Sequence, residues 1–318
     1  MKNYFLVNPM AGKRKGIEEL CKKITEVCEK KGADYEIYMT EAVGDATDFV
    51  RSAVADKNNL PARFFACGGD GTLCEVLNGT AGVEGAEIGL IPIGTGNDFA
   101  RNFNNKELFF DIEAQLDGDS ISLDALKYNG AYSANMINIG FDCEVVKKKE
   151  KLQAKRFLPS KLAYIFGLVI CFAKKPGLKA SVIIDGKEEA EKVYLLSTYA
   201  NGCYCGGGFR SNPNASLTDG TVDALFVRNI SRLKFASLVG SYKKGTHLVP
   251  KNAKSLISKK ASSILLKFPK TQSISVDGEI VDCNELLIEC VKNGMSFVVP
   301  RGASLKSGEK PLAAHVGK

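Results

Sequence analysis

Every strand-like segment in the first third of the chain runs out into glycine or small polar residues and then into a helical pattern, and this alternation leaves few folds open. KNYFLV, DYEIYM, RFFAC and EIGLIPI read as strands. Between the first two, IEELCKKITEVCEKKG sets Ile17, Leu20, Ile24 and Val27 at helical spacing and closes on Gly32. Further helices are expected from about Asp45 to Lys57, near TLCEVLN, and from Asn97. A βαβα order implies a parallel sheet covered on both faces. Such sheets bind ligands at the carboxyl ends of their strands, in the loops that enter helices.

The unusual glycines lie in those loops. Asn8-Pro9-Met10-Ala11-Gly12-Lys13 follows the first strand, GGDGT (from Gly68) the third, and Gly94-Thr95-Gly96-Asn97-Asp98 the fourth. Each offers bare backbone N–H groups near a helix N-terminus, where unpaired donors and the helix dipole favour an anion. A glycine-rich turn of this kind is weak evidence alone, because simple turn chemistry also uses it. Three on one sheet edge, two of them carrying an aspartate (Asp70 and Asp98), point to phosphate handled together with a cation or a proton.

At 318 residues, 45% hydrophobic and 25% charged, the chain has material for two domains. After about Asp119 the helical alternation gives way to hairpin signals. Tyr128-Asn129-Gly130, Asp185-Gly186 and Asn293-Gly294 are flanked by KASVII, KVYLLSTY, SSILLKF and MSFVV. We therefore expect a first domain over residues 1–124 and a second, mostly antiparallel one over 125–300. The tail, 301–318, either packs back on the first domain or stays loose. ISRLKFASLVGSYKK reads as a helix within the second domain.

None of the ten cysteines sits in a CxxC pair, and His247 and His315 are far from any cysteine cluster, which argues against a structural zinc site. Cys203 and Cys205, two apart on a strand, are at the limit of disulfide geometry and read as structural thiols. The N-terminus lacks the features of a secretory signal, so a cytoplasmic, reducing setting is expected.

A formal charge of +7 does not separate nucleic acid, anionic membrane and phosphorylated substrates. Its distribution says more. Residues 147–161, KKKEKLQAKRFLPSK, hold seven basic residues and one acidic, and lead into the apolar run 162–173, LAYIFGLVICFA. That run is well short of the roughly 20 residues a membrane-spanning helix needs. The pair suits an anionic membrane surface, with a solvated charge run before a core helix as the plainer alternative.

Neither GxxxxGK[ST] nor a GxGxxG after the first strand is present. The stretches NPMAGK, GGDGTLCEVLNG, IPIGTGNDFAR, the aspartate of ISLDALKYNG, GGGFRSNPNASLTDGTVD and VDGE occur in that order from residue 8 to about 280. In this they resemble the diacylglycerol kinase catalytic family of lipid kinases, which includes bacterial diacylglycerol kinases and eukaryotic sphingosine and ceramide kinases. GGDGT alone also suits an NAD kinase, whereas GTGNDFAR and the stretch ending in TDG favour the lipid kinases.

The resemblance implies an α/β fold class, with an N-terminal NAD kinase-like α/β domain, a C-terminal mostly antiparallel β-sandwich, and MgATP between them. It implies nucleotide contacts from Asn8, Pro9, Met10, Ala11, Gly12, Thr40, Gly69, Asp70, Gly71, Thr72, Leu73, Cys74, Glu75 and Thr95, with Gly94, Gly96 and Asn97 beside them. Asp219 would bind Mg2+, with backbone oxygens of Ser216 and Thr221, while Asp98 and Asp124 order the surrounding water. Glu279 would accept the substrate proton, with Asp70 as the second candidate. Ala11, Cys74 and Thr218 depart from the family's usual Ser, Asn and Asp, and the last of these weakens the magnesium site.

The implied reaction moves the γ-phosphoryl group of ATP to the hydroxyl of a membrane lipid, diacylglycerol in the first instance. Another lipid alcohol, an NAD kinase-like phosphotransfer, or a non-catalytic nucleotide-responsive membrane protein are the alternatives. No nucleic-acid partner is expected, and a homodimer is left open.

Overall fold

The computed structural model describes residues 1–11, 14–140, 143 and 177–306. Gly12, the basic segment 147–161, the apolar segment 162–173 and residues 307–318 of the tail lie outside the described residues.

The first elements alternate as the pattern predicts: β1 (Lys2–Val7), α1 (Arg14–Lys31), β2 (Tyr35–Met39), α2 (Asp45–Ala55), β3 (Ala62–Gly68), α3 (Asp70–Thr80) and β4 (Ala86–Pro92). The strands pair in parallel in the order β2-β1-β3-β4. Beyond their first residues β1, β3 and β4 are almost wholly buried, which is why they read as unbroken apolar runs, whereas edge strand β2 is half-exposed. The two-residue strand period sorts their side chains. Tyr4, Leu6, Phe64 and Ala66 pack with Val50 of α2 and Leu73 of α3, while Phe5, Val7, Phe65 and Cys67 meet Ile17 and Ile24 of α1.

Next come β5 (Phe103–Asn104), α4 (Ile112–Leu116), β6 (Asp119–Tyr128), β7 (Ala131–Ser133) and β8 (Met136–Gly140). The remainder comprises β9 (Leu178–Ile184), β10 (Lys187–Ala200), β11 (Val222–Arg228), α5 (Arg232–Lys244), β12 (Leu256–Ala261), β13 (Ser263–Val276), β14 (Glu279–Val299) and β15 (Ser304–Leu305). Apart from the single parallel pairing of β14 with β4, these strands pair antiparallel throughout, in the order β12-β11-β10-β8-β13-β14. They enclose a core that includes Ile137, Tyr199, Phe226, Val276 and Leu286.

Two long strands tie the halves together. β14 begins beside β13 and ends beside β4, where Phe297 faces Ile88, and β6 runs antiparallel along it on both sides of residue 124. The first sheet is thus completed by chain from near residue 300. β15 pairs with β5, which places residues 304–305 against the first half.

Asn129-Gly130 and Asp185-Gly186 close hairpins with positive φ at both residues. Asn293-Gly294 does not. It lies inside β14 as a bulge, where the register with β6 shifts between Val291 and Met295. Asn293 donates its backbone N–H to Asp124 Oδ1 there (3.0 Å). The same turn signal serves a bulge because both devices need a residue at positive φ, and Asn293 has φ 54°. No helix among the described residues is long and apolar enough to cross a membrane.

Candidate active site

The second and third glycine loops meet at the carboxyl edge of the parallel sheet. Asp70, first residue of α3, reaches across so that Oδ2 accepts from Asp98 N and Oδ1 from Phe99 N, both at 3.0 Å. Gly94 N donates to Gly68 O (3.1 Å), drawing the two backbones together. The first loop joins through Asn8, whose Nδ2 donates to Thr72 Oγ1 (3.3 Å) and whose Oδ1 accepts from Met10 N (2.9 Å). Thr40 donates its N–H to Val7 O (3.0 Å) on the same edge.

The second half supplies the opposite wall. A tight turn at Asp277 and Gly278, φ 47° and 99°, brings Glu279 over the start of α3. Its carboxylate lies so close to Gly71 that a Cβ there would sit 3.0 Å from Oε1. Asp277 anchors the turn by accepting from the backbone N–H groups of Ala134, Asn135 and Met136 at 2.8–3.2 Å. Gly206, Gly207 and Gly208, at φ 59°, 80° and 108°, let a loop of the second half come against the third loop of the first. Gly207 N donates to Asp98 Oδ2 at 2.8 Å. Arg101 closes this junction, donating from Nε to Asp98 Oδ1 (3.1 Å) and from its terminal nitrogen to Gly96 O (3.2 Å).

Three carboxylates, those of Asp70, Asp98 and Asp277, are thereby held at this junction, Asp98 buried and the other two half-buried. Burial, reinforced by the negative charge of Asp98, raises Asp70 to about 7. Burial raises Asp98 and Asp277 as well, against the amides and the Arg101 guanidinium that favour their charged forms. Folded protein therefore keeps a proton on Asp70 that the unfolded chain releases near pH 4, so this group's contribution to stability falls as pH rises from about 4 to about 7. Melting temperature should decline across that window, and Asp70→Ala should flatten the decline. An unchanged pH profile in the variant would contradict the assignment.

A continuous cavity of about 1280 Å³ runs through the junction. One end is lined by Asn8, Thr40, Gly69, Asp70, Gly71, Thr72, Thr95 and Glu279. The other is mainly apolar: Leu196 of β10, Val227 of β11, Leu256 of β12, and Phe235, Leu238 and Val239 along α5, with Tyr242, Lys243 and His247 beside them. Met10, Ala11, Glu75, Gly94, Gly96 and Asp98 also line it.

Several residues expected at the nucleotide stand elsewhere. Leu73 points into the core with no exposure, because α3 turns that side towards the sheet. Cys74 packs against the sandwich core with Sγ 3.2 Å from Tyr132 O. Asn97 spends its amide on the carbonyls of Pro92 and Gly94, and Pro9 is absent from the cavity wall. Glu75 lines the cavity but caps α2, accepting from Gly44 N (3.0 Å) and Ala46 N (3.2 Å).

The expected magnesium residues also separate. Asp98 is in the cavity wall, whereas Asp124, Ser216, Asp219 and Thr221 are not. Asp124 is fully buried and accepts from Gly220 N (2.6 Å) and Asn293 N (3.0 Å), so it holds two backbone segments together. Asp219 accepts from Thr221 N and Oγ1 and pairs with Lys260. The apolar end of the cavity had no sequence signal, since its residues come from three strands and a helix spread over some 60 positions and each reads as ordinary core. Asp277 was legible only as the second residue of VDGE.

Residues 2–128 match the diacylglycerol kinase catalytic domain, and residues 135–298 match the YegS C-terminal NAD kinase beta sandwich-like domain. A diacylglycerol kinase of Bacillus subtilis (strain 168) is 27% identical over 286 residues, covering 86% of this chain and 88% of that protein. One from Staphylococcus aureus is 28% identical over 285 residues, covering 86% and 84%. A solved diacylglycerol kinase structure from Bacillus anthracis superposes with a TM-score of 0.69 at 22% identity, over 93% of this chain and 96% of that one, and so shares the fold. With a catalytic-domain match over residues 2–128 that contains the three glycine loops and a sandwich match over residues 135–298, the chain belongs to the diacylglycerol kinase and YegS-like family of lipid kinases.

Proposed function

We propose that this protein transfers the γ-phosphoryl group of MgATP to the hydroxyl of a membrane lipid, diacylglycerol, to form phosphatidic acid. The observation that carries this reading is the two-ended cavity. Bare amides and carboxylates line one end, as a triphosphate requires, and an apolar chamber opens from it, as an acyl chain requires. A soluble dinucleotide acceptor has no use for the apolar end.

In this reading Asn8, Thr40, Gly69 to Thr72 and Thr95 hold the nucleotide, mostly through backbone N–H groups. Phosphoryl transfer asks little covalent chemistry of a protein, so positioning and charge neutralisation carry the rate. Asp70 and Glu279 line the cavity here; their carboxylates would offer magnesium the hard oxygen donors it takes, and the ion would supply charge neutralisation of the phosphates. Glu279 accepts the lipid hydroxyl proton while the new bond to phosphorus forms; the bond to the β–γ bridging oxygen breaks, and ADP leaves with its electron pair. Asp70, poised near neutrality, is the second base. The basic segment 147–161 and the apolar run 162–173 supply the surface that meets anionic headgroups.

Incubating the full chain with labelled ATP, magnesium, NAD and a total lipid extract tests the reading. Label in phosphatidic acid supports it. Label in NADP, or in a different lipid, replaces the acceptor, and no transfer to any of them removes the activity. Filling the apolar chamber with Val227→Trp should reduce kcat/KM for lipid about 10-fold or more and leave ATP affinity unchanged.

A further inference from the structure

Loop 216–221 stands apart from the cavity, and a cation already occupies it. The ammonium of Lys260 is paired with Asp219 Oδ2, and it lies 3.9 Å from Asp223 Oδ2. Asp223 is 2% exposed, and that oxygen has no hydrogen-bond partner, while Oδ1 accepts from Asn212 Nδ2 at 2.9 Å. The remaining acceptors are committed: Asp219 Oδ1 takes Thr221 N (3.1 Å) and Oγ1 (2.7 Å), and Asp124 takes Gly220 N and Asn293 N. Among the described residues no group of three His, Cys, Asp or Glu side chains is arranged to hold a metal.

We propose that the Lys260 ammonium takes the cation position of this loop, so that a corner where the family resemblance implies magnesium is locked by a lysine and needs no divalent ion. Strand pairing puts the lysine there. Lys260 of β12 is the register partner of Asp223 of β11, so its side chain must leave the sheet beside that carboxylate. Charge balance agrees. Thr218 stands where an additional acid would add a negative charge beside Asp219 and Asp223, and the Lys260 ammonium lies within ion-pair distance of both of those carboxylates. The lock joins β11 and β12 through Lys260, and through Asp124 and Asn293 it reaches β6 and β14, the strands shared with the first sheet.

Thermal unfolding of the nucleotide-free full chain, in EDTA and in millimolar MgCl2 or CaCl2, decides this independently of the reaction, because no ATP or lipid is involved. Lys260→Met should melt lower in EDTA, since it leaves two unpaired carboxylates, and regain about 5 °C with either ion. Adding Asp219→Asn to that variant should abolish the regain. Lys260→Arg, which keeps the charge, should show no such ion dependence. Two results overturn the proposal: an ion-dependent gain in the unmodified protein that Asp219→Asn removes, or the same ion response in Lys260→Met as in the unmodified protein. The first comparison decides even where Lys260→Met fails to fold.

Discussion

Glu279→Gln should lower kcat about 100- to 10 000-fold while leaving the ATP dissociation constant within a few-fold of the parent value. The side chain reaches the cavity from a turn anchored by Asp277, and the amide keeps its size while losing the basic oxygen. Because the lost interaction is one made as the hydroxyl gives up its proton, kcat and kcat/KM should fall together. Steady-state kinetics with dispersed diacylglycerol, paired with calorimetric ATP binding, measure both. A loss under about tenfold, with Asp70→Asn abolishing turnover, would move the proton to Asp70 and leave Glu279 a binding role.

Gly94→Ala should cost nucleotide affinity up to about 100-fold. A Cβ at this position would lie 2.5 Å from Gly69 Cα, 3.1 Å from Gly69 N and 3.0 Å from Asn97 Oδ1. The first two are backbone atoms of the neighbouring loop, so no side-chain rotation relieves the overlap; one loop must retreat from the other. Overpacking of this kind costs typically 1–3 kcal/mol, and at about 1.4 kcal/mol per factor of ten the upper end corresponds to about 100-fold if the displaced loop is the binding loop. Gly16→Ala provides the control, since a Cβ there meets nothing within 4 Å and, among the described residues, none of α1 lines the cavity. ATP-dependent thermal shifts on both variants measure the difference, and equal affinity in the two would remove the second and third loops from the nucleotide site.

These effects sit on contacts of different legibility. Hydrophobic periodicity and glycine placement are local properties, so β1 to β4, α1 to α3 and the three loops could be read directly from short windows of residues. The same locality explains the misreading of Asn293-Gly294: a positive-φ signal names a backbone conformation, and only the partner strand decides whether it becomes a turn or a bulge. Leu73 and Cys74 fell within a motif, yet helical geometry turns them from the cavity while Thr72 and Glu75 face it.

What the order of residues settled was the parallel sheet, the antiparallel second half and the place of the glycine loops, because each depends on propensities and periods that a few neighbouring residues express. Tertiary structure alone decided that Glu279 meets Gly71 across 208 positions, that a mainly apolar chamber opens behind the acids, and that Lys260 pairs with Asp219. Those outcomes arise from strand register and from the crossing of β6 and β14 between the two halves, and pairings over such separations leave no trace in local composition.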